Sequence, residues 1–196
     1  MKKLLFLALA AFFSISGYSQ ENPLWLRYPA ISPDGHTVVF SYQGDLYKVP
    51  SLGGQATLLT LHEGYEFMPV WSHDGKSIAF ASDRYGNFDV FVMPASGGEA
   101  KRLTHFSGTD LPWDFSPDNK TVLFSSARLD QASNAQIANG GMSELYSVPV
   151  QGGRATMIIT QPAINARYNS SGDKIIFHDY KGYEDNWRKH HTSSVT

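Results

Sequence analysis

Three aspartates recur at like places along the chain, Asp34, Asp74 and Asp118, each two residues after a serine, Ser32, Ser72 and Ser116. An array of carboxylates is one way to hold a divalent cation. The same residues are also what a tight turn requires. An aspartate there accepts backbone N–H groups, and a following Gly35, Gly75 or Asn119 tolerates a left-handed backbone. The turn reading is favoured, because each copy sits between two short apolar runs. His190-His191 with Ser193 and Ser194 supplies the residue types of a base and a nucleophile. That group has no Gly-x-Ser-x-Gly elbow, and adjacent histidines in a strand point to opposite faces. His62, Glu63, Glu66 and His105 lack the His-Glu-x-x-His spacing of a zinc helix. No catalytic, cofactor-binding or metal-binding residue is assigned.

Asp83-Arg84-Tyr85-Gly86-Asn87 joins two apolar runs, and Tyr42-Gln43-Gly44 and Arg128-Leu129-Asp130 stand in the corresponding places. Turns of this kind sit at a rim where peptides or partners are met, which makes Asp83, Arg84 and Arg128 candidate contact residues. The blander alternative, which is preferred, is that Asp83 and Arg84 pair with each other at the surface, worth about 0 to 1 kcal/mol. Trp71 and Trp113 lie one and three residues before Ser72 and Ser116. Packing between repeats is the expected role of these near-equivalents, with ligand stacking as the lesser alternative.

The elements that must position these residues form a repeat. Ser32-Pro33-Asp34-Gly35, Ser72-His73-Asp74-Gly75, Ser116-Pro117-Asp118-Asn119 and a degenerate Ser170-Ser171-Gly172-Asp173 are spaced 40, 44 and 54 residues apart. A period near 40 to 50 residues indicates a repeat fold. After each turn comes an alternating run, with Val38 and Phe40 on one face and Val39 and Ser41 on the other, then Ile78/Phe80, Val122/Phe124 and Ile175/Phe177. Third strands are expected at Asp45 to Pro50, Asp89 to Pro94 and Glu144 to Pro149, where proline stops pairing ahead of a Gly-Gly hairpin. Fourth strands are expected at Ala56 to Thr60, Ala100 to Thr104 and Ala155 to Thr160.

Each unit is thus a four-stranded antiparallel meander, apolar on both faces, which needs a neighbour on both faces. Radial stacking of blades satisfies this and a sandwich does not. The fold class is all-β, a β-propeller of about three and a half blades. Blade one covers about 28–60, blade two 68–104, blade three 112–160 with a polar insertion at 127–141, and a partial blade four 164–196. Asp34, Gly35, Asp74, Gly75, Asp118, Asn119 and Gly172 are its structural turn residues.

Composition agrees with this class. Hydrophobic residues make up 42% and charged residues only 17%, with 17 Gly and 10 Pro, the profile of a turn-rich β protein and not of a disordered chain. The formal charge of −2 argues against a nucleic-acid partner. Lys2-Lys3, the apolar run from Leu4 to Phe13 and Gly17-Tyr18-Ser19 read as a secretory signal peptide over residues 1–19. The apolar run is too short for a membrane span of roughly 20 residues, and a periplasmic or secreted location is expected. With no cysteine, stability must come from packing without disulfides.

Ser72-His73-Asp74-Gly75-Lys76-Ser77-Ile78-Ala79-Phe80-Ala81-Ser82-Asp83-Arg84, with Asp89 to Pro94 and Gly97-Gly98 through Arg102-Leu103-Thr104, resembles the WD-like propeller repeat of TolB and of tricorn-type peptidases. Residues Tyr183 to Val195 resemble a segment of the first propeller in tricorn-like proteases. The resemblance implies a parent with a six-bladed and a seven-bladed propeller, a PDZ-like module and a serine, histidine and glutamate catalytic core downstream, whose motifs this sequence lacks. Six blades at roughly 40 residues each need about 240 residues, so the chain is expected to be the N-terminal portion of a larger protein, inactive alone.

In the parent the ring would filter peptides for the catalytic core. The alternative is a non-catalytic, TolB-like module that binds a protein partner in the periplasm. A carbohydrate-binding propeller, with Trp71, Trp113 and Trp187 lining a pocket, is a third. Expected partners are peptides or a protein and the remainder of the parent polypeptide. Self-association through the open ends of an incomplete ring is also expected.

Overall fold

The structure, a computed structural model, describes residues 25–128 and 143–178. The leader at 1–19, most of the 127–141 insertion, His190, His191, Ser193, Ser194, Trp187 and the tricorn-like segment at 183–195 lie outside the described residues. Among the described residues every regular element is a strand. They form an incomplete β-propeller of three four-stranded antiparallel blades and a two-stranded start of a fourth.

Blade one contains β1 (Arg27–Ile31), β2 (Thr37–Tyr42), β3 (Asp45–Pro50) and β4 (Thr57–Leu58), paired in chain order. Blade two contains β5 (Glu66–Trp71), β6 (Ser77–Ser82), β7 (Asp89–Pro94) and β8 (Lys101–Arg102). Blade three contains β9 (Asp110–Phe115), β10 (Thr121–Ser126), β11 (Glu144–Pro149) and β12 (Thr156–Ile159), and β13 (Ile164–Tyr168) pairs with β14 (Ile175–His178). First strands begin two residues earlier than the repeat predicts in blades two and three, at Glu66 and Asp110.

Fourth strands are shorter than the apolar pattern predicts, for a reason visible in the hydrogen bonds. Leu46 N–H donates to the Thr60 hydroxyl at 2.9 Å instead of to a backbone carbonyl, and Val90 N–H treats Thr104 the same way at 2.9 Å. A side-chain acceptor continues the ladder where the backbone pattern stops.

The core consists of layers between blades. Val39 and Leu46 of blade one meet Ile78, Phe80, Phe91 and Met93 of blade two. The opposite face of blade two, with Ala79, Val90 and Val92, meets Val122, Phe124, Tyr146 and Val148 of blade three. Leu123, Leu145 and Trp113 then cover Ala163 and Ala166 of blade four. Period-two alternation is therefore apolar in both phases, and a blade without both neighbours would leave one phase wet.

Inner strands β1, β5 and β13 bulge at residues with left-handed backbone, Tyr28 (φ 53°), Met68 (φ 53°) and Asn165 (φ 52°). Blade three has Pro112 at this place. Proline fixes φ near −65°, and Pro112 instead stays in register opposite Phe124, with the bulge displaced to the next residue.

Candidate binding site on the inner strands

The recurring aspartates close the turns between first and second strands. Asp34 Oδ1 accepts the Ser32 hydroxyl at 2.5 Å and the His36 N–H at 3.0 Å, while the Ser32 hydroxyl oxygen accepts Thr37 N–H at 2.9 Å. Asp74 and Asp118 repeat this with Ser72 and Ser116 and with the N–H groups of Lys76 and Lys120. The serine hydroxyl is the largest influence in each case, and it holds all three carboxyls below the ordinary aspartate range. Gly35, Gly75 and Asn119 all have positive φ, as does Gly172 (φ 74°).

The fourth turn corrects the expected alignment by one residue. Gly172 N–H donates to Asn169 O, so Asn169 stands where the other turns have serine, Ser171 stands for the aspartate, and Gly172 matches Gly35. Asp173 compensates for the missing aspartate by accepting the Ser171 hydroxyl and the Asn169 amide.

At the opposite rim Arg84 does not pair with Asp83. Asp83 Oδ1 accepts Tyr65 N–H at 2.6 Å, and Arg84 forms an ion pair with the fully buried Glu66. The reason is the close approach of the loop before β5, where a Cβ on Gly64 would fall 2.9 Å from the Arg84 Cα. The guanidinium is thereby turned inward, 4.7 Å from the Phe91 ring centroid, with its Nε donating to the Ser82 hydroxyl.

Blade three repeats the arrangement. Arg128 pairs with buried Asp110, its Nε donates to Ser126, and its Cζ lies 4.8 Å from the Phe124 centroid. Between these two sits a third pair, Arg102 with Asp89 at 2.5 Å, its guanidinium 4.5 Å from the Tyr85 centroid. Burial raises the carboxyl pKa of Glu66 and Asp89, and the arginines, with Thr60 and Thr104, pull against it. These arginines seal one end of the blade stack, and Arg84 and Arg128 present less than a fifth of their side chains to solvent.

Among the described residues the inner strands β1, β5, β9 and β13 share one pocket of about 580 Å³. Its wall is apolar and proline-rich at Tyr28, Met68, Pro69, Pro112, Trp71 and Trp113. Both tryptophans also tie blades together. Trp71 Nε1 donates to Ala30 O of blade one at 3.0 Å. Trp113 Nε1 donates to the Ser125 hydroxyl, which donates in turn to Ala163 O of blade four at 2.8 Å. They are not equivalent by register, since Trp71 pairs with Ile78 at the strand end and Trp113 sits in the bulge.

Three polar residues of the pocket escape sequence reasoning. Asp114 is 6% exposed, accepts Tyr168 N–H on Oδ2 at 2.8 Å and Phe115 N–H on Oδ1 at 3.0 Å, and lies 3.7 Å from His73 Nε2. Burial raises its pKa, against the pull of the Tyr168 N–H, Arg167 and His73. His73 Nε2 lies 2.9 Å from Phe115 O, and Arg167 is exposed on β13. A signal was present, since the inner strands place Ala30 and Val70 where blades three and four place the charged Asp114 and Arg167. A reading that searches for what repeats passes over what does not.

This geometry, a groove crossing the inner edges of stacked blades, is shared with solved propellers. A putative TolB from Agrobacterium tumefaciens is 29% identical with a TM-score of 0.66, covering 81% of this chain and 56% of its own. TolB from Acinetobacter baumannii is 23% identical with a TM-score of 0.63, covering 81% and 39%. The tricorn protease is 13% identical with a TM-score of 0.55, covering 80% of this chain and 20% of its own. The chain thus spans about half or less of these proteins. No curated protein sequence matches it. The model of the tricorn protease N-terminal β-propeller domain matches residues 23–196, and with nearly the whole chain inside that match, it belongs to this family.

Proposed function

We propose that the chain is part of a propeller ring that binds extended polypeptide along its inner strands and filters it for the serine-peptidase core of a tricorn-like protein. The observation that carries this reading is the single pocket to which all four inner strands contribute. Its wall pairs apolar and proline side chains with left-handed backbone at Tyr28, Met68 and Asn165, and non-glycine residues in that region cost on the order of 1–3 kcal/mol each and cluster at ligand clamps. The family match supports the tricorn assignment, and a leader at 1–19 supports export to the periplasm. The chain by itself hydrolyses nothing.

The test is binding of a fluorescein-labelled, reduced and carboxymethylated protein by the purified chain, against the same protein folded. Unfolded substrate should bind without cleavage, and Met68→Lys, which puts a charge on the apolar wall, should weaken it. Cleavage abolished by Ser193→Ala would overturn the inactive reading. A second reading, a non-catalytic module that docks one folded partner, draws on the 29% identity to the Agrobacterium TolB. Preference for a folded partner over every unfolded chain would favour it.

A further inference from the structure

We propose that the inner-strand wall recognises a carboxylate on the peptide it holds, with Arg167 as the anchoring cation; the inference rests on the peptide-binding reading above. Arg167 lines the pocket from β13 and is exposed. Among the described residues it forms no ion pair, and its hydrogen bond is a long one, from Nη1 to the adjacent Ala166 O at 3.5 Å. The other three arginines named above are each locked to a buried acid and an aromatic ring, so Arg167 differs from them in kind.

The nearest acid on the wall does not compensate for it. Both carboxylate oxygens of Asp114 are occupied by backbone N–H groups, Phe115 on one and Tyr168 on the other, and the side chain is buried. Its charge holds the guanidinium close without consuming its donors. His73 Nε2 is directed at Phe115 O. Trp71 and Trp113 have committed their indole N–H groups to Ala30 and Ser125. What the wall still offers is therefore the donor fork of one arginine beside an apolar groove, and a carboxylate matches that fork in two parallel hydrogen bonds.

The carboxylate has two sources, the peptide's C-terminus or an Asp or Glu side chain, and three probes separate them. Fluorescein-labelled nonapeptides of alanine, proline and phenylalanine are made with a free C-terminus, with an amidated C-terminus, and amidated with a central glutamate. Anisotropy titrations with the purified chain should show the free acid, the glutamate peptide or both binding about tenfold or more tighter than the neutral amide. The tighter of the two identifies the source. Arg167→Gln should reduce the acidic peptides to the level of the amide, with Arg167→Lys in between and the thermal midpoint unchanged in both.

Equal binding of acidic and neutral peptides by the unmodified chain would overturn the carboxylate anchor and leave peptide binding standing. Loss of the neutral peptide in step with the acidic ones on Arg167→Gln would also overturn it, by showing that the arginine packs and does not recognise charge. Failure of every peptide to bind would remove the peptide-binding reading itself.

Discussion

Asp114 of blade three accepts the backbone N–H of Tyr168 in blade four at 2.8 Å, so a buried carboxylate joins two inner strands that elsewhere meet through apolar side chains. Its other oxygen accepts Phe115 N–H. Replacing it with alanine leaves two backbone donors in a buried setting without their acceptor, and an unsatisfied buried group costs about 1–3 kcal/mol. Asp114→Ala should therefore lower stability by at least that much in urea unfolding. Ala30 or Val70, at the equivalent positions, should tolerate exchange for each other with far smaller loss.

The same residue gives a pH dependence with a defined sign. Burial raises the pKa of Asp114 in the fold, so the native state holds its proton more tightly than the unfolded chain. Its stabilising contribution is complete below the ordinary value of about 3.9 and is lost as pH rises through the raised value. The turn carboxyls Asp34, Asp74, Asp118 and Asp173 are lowered; their contribution is complete above the ordinary value and lost as pH falls through the lowered ones. Urea melts of Asp114→Asn at a series of pH values should lack the decline on the side above about pH 4. Asp74→Asn should instead weaken the loss on the acid side.

Arg84 and Glu66 form a pair whose partners cannot be removed singly. Glu66 is fully buried, and stripping one partner from a buried ion pair costs about 3–5 kcal/mol, whereas replacing both by apolar groups is often neutral. Arg84→Met should be strongly destabilising, and the double change Glu66→Leu with Arg84→Met should recover most of the loss. Equal damage from the single and double variants would show that the guanidinium acts mainly through its contact with Phe91.

The chain's repeat made the blades legible because a blade is a local object. Turn chemistry at Asp34, Asp74 and Asp118, the alternation through Phe40, Phe80 and Phe124, and the proline closing each third strand all act within about 20 residues. Pairing of Arg84 depends on something else, the approach of Gly64 from the preceding loop, which no local pattern records. The one-residue shift at Asn169 was hidden for the opposite reason. A Ser-Ser-Gly-Asp string imitates the turn phrase, while an asparagine amide performs the serine's hydrogen bonding. Asp114 and Arg167 were missed because they interrupt the repeat, and the site is where the blades differ.

Blade one offers a way to add an interaction that its neighbour already has. Arg102 reaches Asp89 from the fourth strand of blade two, and Leu58 occupies the corresponding place in blade one, 43% exposed, beside the third strand that begins at Asp45. Leu58→Arg should pair with Asp45 and stack on the rim as Arg102 does. A partly exposed pair is worth about 0–1 kcal/mol, so a small rise in thermal midpoint is expected, reversed when Asp45→Asn is added. A rise that survives Asp45→Asn would assign the gain to the arginine's stem.

The two end faces of the blade stack supply the remaining prediction. Phe80 stacks with Phe91, and Phe124 with Tyr146, and the preceding blade covers each ladder. Phe40 and Tyr47 form the same ladder on blade one, 5.9 Å apart, with no blade before them among the described residues. At the other end Ile176 is 62% exposed on β14, whose neighbours Ile175 and Phe177 face blade three. Apolar sheet faces of this kind drive association. The chain should run on a sizing column as oligomers that dissociate on dilution, and Tyr47→Glu with Ile176→Lys should shift it toward the monomer. A monomer at all concentrations before any substitution would mean that these faces are already covered from within the chain.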